Sequence, residues 1–334
     1  MGNVNIDLSV IVAVYNTEKY LDECMESLLL QSVEQMEIVV VNDGSQDRSY
    51  QILEKYAKSD SVRIISKKHE GTLLTRLEGM RHARGKYITF MDSDDTFKPY
   101  SLHNVLSIAE GKNVDILEFG YRLLNSEAQE IFYCNMGHQK MPMNVLIKGK
   151  KECFDLIDAY RLEACLCKRL YSRKVCNKVL NYFTCFPDYK IRFKDILVED
   201  EFMTPLFFAN AKSYYSVKER IYNYKFRNPG GTTYSMSVNN DRMLRGAEEY
   251  MCACSYISTE LRKKGIVNTL GYYDYKIRGI DFFLTKCETL KIFWLDQIQI
   301  MMKYYSIKEI IFIYIRKYEI WLLKKKAVLY RRIK

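Results

Sequence analysis

Residues 87–95 have the sequence Tyr-Ile-Thr-Phe-Met-Asp-Ser-Asp-Asp, an apolar run that passes directly into an acidic cluster. The apolar part, residues 87–91, has the β-branched and aromatic content of a buried strand. In α/β sheets, ligands bind beyond the carboxyl ends of the strands. This stretch therefore predicts a strand of such a sheet with a binding site at its end.

The segments upstream alternate between strand and helix patterns. Residues 8–14 (LSVIVAV), 36–41 (MEIVVV) and 62–66 are apolar, largely β-branched runs that predict strands buried on both faces, as in a parallel sheet. The predicted helices are residues 17–31, 47–57 and 72–83, with Thr17 and Asp47 as N-caps and Gly85 as a C-cap. This order predicts an α/β fold with a doubly wound, mostly parallel central sheet flanked by helices.

Three polar clusters follow these strands: residues 15–16 (Tyr-Asn), 42–45 (Asn-Asp-Gly-Ser) and 92–95. In a parallel sheet they would lie together at one edge. The chain has neither a GxGxxG sequence nor a P-loop, which argues against dinucleotide-binding and Walker-type readings.

The acidic cluster is a candidate metal site. Asp92 and Asp94 are two residues apart at a strand end, and a divalent cation would offset their mutual repulsion. Oxygen ligands suit Mg²⁺ or Mn²⁺, which also bind diphosphate oxygens. The alternative is a helix N-cap before Pro99 or a solvated turn.

Other candidate residues each have a functional and a structural interpretation. Asp43 could accept a hydrogen bond from a nucleobase or a ribose hydroxyl, or cap the next helix. Arg76 could pair with a phosphate or with the loop acids, or form a surface salt bridge. Residues 199–201 (Glu-Asp-Glu) could supply a general base or simply start a helix. Residues 227–233 could close over phosphates or form an ordinary turn.

Composition limits the class of protein. The 334 residues are 48% hydrophobic, which suffices for a substantial core. Ten cysteines accompany only four histidines and contain no C-x-x-C pair, so free thiols in a reducing cytoplasm are favoured over structural zinc. The sequence shows no signal peptide and no apolar run long enough to span a membrane.

Positive charge is concentrated at the C-terminus. Residues 303–334 contain ten basic and two acidic residues, giving +8 of the total net charge of +10. Apolar residues also recur there at helical spacing. This pattern favours a helix on an anionic membrane surface. The alternatives are a helix packed on the protein's own core, or a nucleic-acid interface, which no binding motif supports.

Together these segments resemble the family 2 glycosyltransferases of the GT-A fold. Family motifs occur in order between about residues 6 and 233. They are residues 12–16 (VAVYN), 42–45 (NDGS), the helix that carries Gly71 and Arg76, residues 83–95 (ARGKYITFMDSDD), Glu199-Asp200 and the loop from Tyr222 to Thr232. The sequence departs from the family at Ala13 (usually Pro), Asn42 (usually Asp) and Leu77 (often Asn).

The resemblance implies an inverting transfer from a UDP-sugar assisted by Mn²⁺ or Mg²⁺. The backbone near Val14 together with Tyr15 and Asp43 would hold uracil. Asp92 would hold ribose and, with Asp94 as the direct ligand, the metal. Asp200 would be the base that deprotonates the acceptor hydroxyl. The remaining motif residues implied at the site are the acids Glu199 and Asp95, the nucleotide-side Arg76, and Arg227 and Thr232, which would close over the diphosphate.

The implied domains are a GT-A catalytic domain, residues 1–233, and a helical C-terminal extension, residues 234–334, with the basic tail. Residues 1–120 would bind the nucleotide-sugar, and residues 121–233 the acceptor. We expect a hexosyl- or N-acetylhexosaminyltransferase of capsule, O-antigen or other cell-surface polysaccharide synthesis. It would act on a glycan or lipid-linked acceptor at the inner face of the cell membrane. The alternatives are a nucleotidyltransferase, whose Gly-rich phosphate loop is missing here, and a catalytically degenerate membrane scaffold.

Overall fold

The computed structural model describes residues 5–125, 127–130, 143–159, 164–225 and 239–265, and twelve residues beyond them: 279, 280, 283, 284, 286, 297, 300–302, 305, 306 and 310. The chain divides into two compact units, Met1–Gly231 and Thr232–Lys334. Arg227, Thr232 and all of the basic tail except residues 305, 306 and 310 lie outside the described residues.

The first unit contains one mixed sheet with helices packed on it. Its strands are β1 (Leu8–Val14), β2 (Met36–Asn42), β3 (Val62–Ser66), β4 (Tyr87–Asp92), β5 (Thr96–Phe97), β6 (Ile116–Leu124), β7 (Ile147–Lys148), β8 (Arg169–Ser172) and β9 (Ser213–Lys225). Its helices are α1 (Leu21–Leu29), α2 (Ser49–Tyr56), α3 (Thr72–His82), α4 (Leu102–Lys112), α5 (Lys150–Ala159), α6 (Arg173–Thr184), α7 (Tyr189–Arg192) and α8 (Glu199–Asn210). The predicted α/β class is confirmed.

The first four strands form the parallel half of the sheet, in the order β3-β2-β1-β4. Every residue of β2 and all but one of β1 are buried, as expected for apolar strands covered on both faces. Helix α3 packs on β1 and β2. The four strands predicted from their apolar runs are present with nearly the predicted bounds.

Beyond β4 the sheet becomes mixed. The short strand β8 lies between β4 and β6 and is antiparallel to both. Strand β9 pairs in parallel with β6 and antiparallel with β5 and β7. Helix α8 packs against α5 and α6.

Three predicted helix caps are wrong. Helix α2 begins at Ser49 with Arg48 at the N-cap position, and Asp47, one residue earlier, accepts the Ser49 N–H at 2.9 Å. Helix α1 begins at Leu21, because the carbonyl of Thr17 accepts hydrogen bonds from the N–H groups of Tyr20 and Leu21 and forms a turn instead. Gly85 does not cap α3, which ends at His82 with Ala83 extended. A Cβ at Gly85 would lie 2.4 Å from the Ser9 nitrogen, so close approach to β1 requires the glycine.

The described part of the second unit is helical. Helix α9 (Asn240–Lys263) starts at Asn239, whose side chain accepts the N–H of Arg242 at 3.0 Å. Buried side chains of this unit pack together in a small hydrophobic core, which consists of Ala247, Met251, Ile280, Phe283, Met301 and Tyr305. Within the part of the chain that the structure describes, every helix is too short or too polar to cross a bilayer.

Candidate active site

The ends of β1, β2 and β4 meet at one edge of the sheet. The register pairs Val14 with Asn42 and Ala13 with Asp92. The backbone N–H of Asp43 donates to the carbonyl of Val14 at 2.8 Å. The three predicted polar clusters therefore lie side by side at this edge.

Asp43 is buried and braces the loop between β3 and α3. Its carboxylate accepts the N–H groups of Glu70 at 3.0 Å and Gly71 at 2.8 Å, and it also pairs with Lys67. These contacts fix residues 67–71 against the end of β2. The carboxylate predicted to read the nucleobase thus organises the surrounding loop, and its contact with a base stays a prediction.

Tyr15 presents an aromatic surface beside this loop. Its side chain is 40% exposed and stacks on the His69 ring, with centroids 4.0 Å apart and planes 18° apart. His69 lies between two carboxylates, with Nδ1 2.9 Å from Asp43 Oδ2 and Nε2 3.1 Å from Asp195 Oδ1. The sequence motifs did not single out His69 or Asp195. The available signal was the position of His69 just after β3, which ends at the same edge of the sheet.

Arg76 is the centre of the site. It extends from α3, and its side chain is only 3% exposed. One terminal nitrogen, Nη2, donates to Asp92 Oδ1 at 2.7 Å, while Nη1 donates to Asp200 and lies 3.2 Å from Glu199 Oε1. One guanidinium therefore joins the end of β4 to the start of α8. Of the alternatives for Arg76, the structure shows contact with the acids, and no surface salt bridge.

Glu199 and Asp200 occupy the first turn of α8, where the helix dipole stabilises negative charge. Asp200 also accepts the N–H of Leu166. Burial raises the pKa of Asp200, and the Arg76 charge opposes this shift. Burial likewise raises the pKa of Glu199 to about 8 and that of Glu201 to about 7. Asp200 combines a partly exposed carboxylate with a fixed orientation, as a general base requires.

The three acids at the end of β4 and in the turn after it differ in their surroundings. Asp95 is buried, and its carboxylate accepts the Tyr222 hydroxyl at 2.6 Å and the Lys225 N–H at 2.8 Å. Burial raises its pKa well above the usual range. Asp95 therefore joins the turn to β9 and is an unsuitable metal ligand. Asp92 and Asp94 are both partly exposed.

Asp92 and Asp94 fit a site for Mg²⁺ or Mn²⁺ that the substrate completes. Among the described residues, no three Cys, His, Asp or Glu side chains gather as metal ligands. Mg²⁺ in phosphate-transferring sites needs only one or two carboxylates, because water and phosphate oxygens supply the rest. The two carboxylates therefore match a cation that arrives with a diphosphate.

A family model supports the resemblance. The model described as Glycosyl transferase family 2 matches residues 9–180, slightly more than half of the chain. The matched segment includes Tyr15, Asp43, Arg76 and the acidic cluster, and it ends before Asp200.

Two relatives come from Bacillus subtilis (strain 168). EpsH is 33% identical over 227 residues, which cover 65% of this chain and 60% of EpsH. The minor teichoic acid biosynthesis protein GgaB is 28% identical over 244 residues, covering 71% of this chain and 25% of GgaB. The chain thus spans less than two thirds of the length of either relative.

Solved structures show the same fold. The crystal structure of S. aureus TarS residues 1–349 in complex with UDP-GlcNAc superposes with a TM-score of 0.62 at 21% identity, covering 85% of this chain and 73% of that one. The complex of the same TarS fragment with UDP gives a TM-score of 0.60 at 19% identity, over 88% and 78% of the two chains. At these identities the likeness establishes the fold alone.

Proposed function

Because this chain belongs to glycosyl transferase family 2 and is a glycosyltransferase, we propose that it moves a sugar from a UDP-sugar to an acceptor hydroxyl with inversion at the anomeric carbon. The expected products are UDP and an extended glycan or lipid-linked oligosaccharide. TarS, which has the same fold, was crystallised with UDP-GlcNAc and with UDP, and this supports a uridine donor.

The observation that carries the proposal is the Arg76 junction. Its guanidinium bonds Asp92, at the predicted donor side, and Asp200, the candidate base. A reaction of a donor with an acceptor needs these two functions within a few ångströms of each other. Strand β4 carries Asp92 on the donor side, helix α8 carries the candidate base Asp200, and Arg76 bonds to both.

Each residue then has a defined task. Tyr15 offers an exposed ring on which uracil can stack. Asp200 accepts the proton of the attacking hydroxyl, and its raised pKa brings its basicity closer to neutral pH. Asp92 and Asp94 would hold Mn²⁺ or Mg²⁺, which neutralises negative charge on the departing diphosphate. Arg227 and Thr232 would cover the diphosphate and exclude water.

One relative supports the proposed setting. GgaB is a teichoic acid biosynthesis protein, which supports synthesis of a cell-surface polysaccharide for this chain. We assign a hexosyl- or N-acetylhexosaminyl transfer to a catalytic domain over residues 1–233. The basic residues of 303–334 would hold the enzyme on the anionic inner face of the cell membrane. No role in nucleic-acid binding is proposed.

Release of UDP tests the proposal. The full chain is incubated with Mn²⁺ and a panel of UDP- and GDP-sugars, with a lipid extract as acceptor source. We expect UDP from one or two donors, with turnover about 10²–10⁴-fold lower in Asp200→Asn and strongly reduced in Asp94→Ala. Asp60→Asn, an exposed acid after α2, is the control. An absence of UDP release, together with an absence of nucleotide binding by calorimetry, would reject the transferase mechanism and favour a scaffold.

A further inference from the structure

Two cysteines lie on a segment that contacts both Arg76 and Asp200, the candidate base. Residues 164–168 precede β8, and the chain bends at Leu166. The Leu166 N–H donates to Asp200, and the Cys167 sulfur lies 4.0 Å from Nη2 of Arg76. The same Nη2 atom donates to Asp92. A change in the geometry of this segment would therefore reach the base and the arginine together.

The thiols of Cys165 and Cys167 hydrogen-bond to each other across Leu166. Cys167 is 1% exposed, whereas Cys165 is partly exposed. The proposed transfer uses neither thiol. Only Leu166 separates the two cysteines, the chain bends there, and their thiols interact, which is the arrangement from which a disulfide across one residue could form.

The surroundings favour reaction at Cys165. The hydrogen bond from Cys167 and the charges of Lys168 and Arg169 lower the Cys165 pKa. A thiolate is the reactive form of cysteine. By contrast, burial raises the pKa of Cys176 and Cys153, which are structural thiols of the core.

We propose that Cys165 and Cys167 form a reversible disulfide under peroxide-class oxidants, and that this bond switches the transferase off. The Cys165 thiolate attacks the peroxide O–O bond, giving a sulfenic acid and releasing hydroxide, which takes up a proton. The Cys167 sulfur then attacks the sulfenic sulfur, forming the S–S bond and releasing water. The two thiols lose two electrons and two protons, and the peroxide is reduced to two waters.

The disulfide disables the site through the backbone between the two cysteines. Closing a ring across one residue turns the Leu166 peptide, so its N–H leaves Asp200, and it moves the Cys167 sulfur away from Arg76. A displacement of about 1 Å in such a constellation can cost about 10²-fold in rate. A small strained ring also makes the bond easy to reduce. Its effect on turnover rests on the proposed function, whereas the bond itself does not.

The test uses the full chain, reduced and then treated with hydrogen peroxide. Trypsin releases residues 162–168 as one peptide that contains only these two cysteines. We expect this peptide to lose the mass of two hydrogens, UDP release to fall about 10²-fold, and dithiothreitol to reverse both changes. Cys165→Ser should resist peroxide, while Cys185→Ser, which removes an exposed thiol after α6, should respond like the wild type.

Two results would overturn the inference: an unchanged mass of peptide 162–168, or equal inhibition of Cys165→Ser and the wild type. If the reduced wild type releases no UDP from any donor, the proposed function fails instead. The peptide mass still decides then whether the thiol pair is a site of oxidation.

Discussion

A single buried cation sets the charge balance at the centre of the site. Arg76 faces Asp92, Glu199 and Asp200, and its side chain is almost fully buried. Because the pKa of Glu199 is about 8, this side chain is largely neutral at pH 7, and the excess negative charge around the guanidinium comes from Asp92 and Asp200. A bound cation on Asp92 and Asp94 would reduce this excess, which links donor binding to the electrostatics of the base.

Replacing Arg76 by Lys tests this arrangement. Lysine keeps the charge but cannot donate from two nitrogens to Asp92 and Asp200 at once. We expect turnover to fall about 10²-fold and the unfolding free energy to fall by about 1–3 kcal/mol. Arg81→Lys on the same helix is the control: its side chain pairs with Glu78 and Tyr189 nearer the surface, and the variant should lose less stability and almost no turnover. Equal behaviour of the two variants would contradict a central role for Arg76.

The partly buried acid Glu201 predicts a pH-dependent stability. Burial raises its pKa from 4.5 to about 7 in the folded state. Between these values the folded chain binds more protons than the unfolded chain, so the contribution of Glu201 to stability falls as pH rises. Gln cannot ionise, so Glu201→Gln should gain about 1–3 kcal/mol over the wild type above pH 8 and almost nothing near pH 4.5.

Urea unfolding of the Glu201→Gln variant at several pH values measures this difference. Glu219→Gln, which replaces an exposed acid in β9, is the matched control and should show no such trend. A difference between Glu201→Gln and wild type that stays constant with pH would show that Glu201 ionises in the folded state as it does in the unfolded chain.

At the level of elements, helix α3 lies against β1 through a glycine. A Cβ on Gly79 would be 2.3 Å from Cγ2 of Ile11. This close approach positions the helix that carries Arg76. The close packing at Gly79 therefore determines the position of Arg76 relative to the edge of the sheet.

Gly79→Ala should lower stability despite the better helix propensity of alanine. The helix gains about 1 kcal/mol, and overpacking against Ile11 costs about 1–3 kcal/mol or more. Gly111→Ala in α4, where a Cβ would have nothing within 4 Å, should be neutral or stabilising. Urea unfolding compares them.

The double variant Gly79→Ala with Ile11→Ala isolates the contact. Removing the Ile11 side chain makes room for the new methyl group, so the loss should be smaller than the sum of the two single losses. Additive losses would mean that Ile11 does not cause the strain.

The parallel half of the sheet was predictable because each of its strands is a short apolar run whose burial follows from local composition. Strand β8 was not predictable in this way. Its four residues begin with Arg169 and end with Ser172, so they do not form an apolar run. Its place between β4 and β6 also depends on long-range pairing. The start of α1 also depends on a distant group, since the Thr17 N–H donates to the Ser49 hydroxyl at 3.0 Å.

The same distinction between local patterns and long-range contacts holds for the site. Residues at strand ends were found from their motifs, and parallel pairing placed them together. The contact between Arg76 and Asp200 could not be predicted in this way, because the two residues are 124 positions apart in the chain. The position of His69 after β3 indicates the right edge of the sheet, but its stacking on Tyr15 and its contacts with two carboxylates are long-range and could not be predicted from that position alone.

At the scale of the whole molecule, charge is divided unevenly along the chain. Replacing Lys324, Lys325 and Lys326 by Gln should weaken binding to anionic vesicles, because each lysine contributes about 1 kcal/mol at a membrane surface. We expect at least about tenfold weaker co-sedimentation with phosphatidylglycerol vesicles at low salt, and weak binding of both forms at high salt. In the control variant, replacing Lys58, Lys148 and Lys212 by Gln removes the same amount of charge from positions outside residues 303–334. Equal losses would indicate that only net charge matters.

The insertion of β8 between two earlier strands has a consequence for biosynthesis. While the ribosome is adding residues 93–172, β4 has no partner on one side and exposes unpaired backbone groups. At about 5–20 residues per second this interval lasts about 4–16 s. The nascent chain then resembles an open edge strand, the form most prone to pair with other chains. Protection by a chaperone would matter most in this interval, and slower translation through residues 93–172 should increase aggregation.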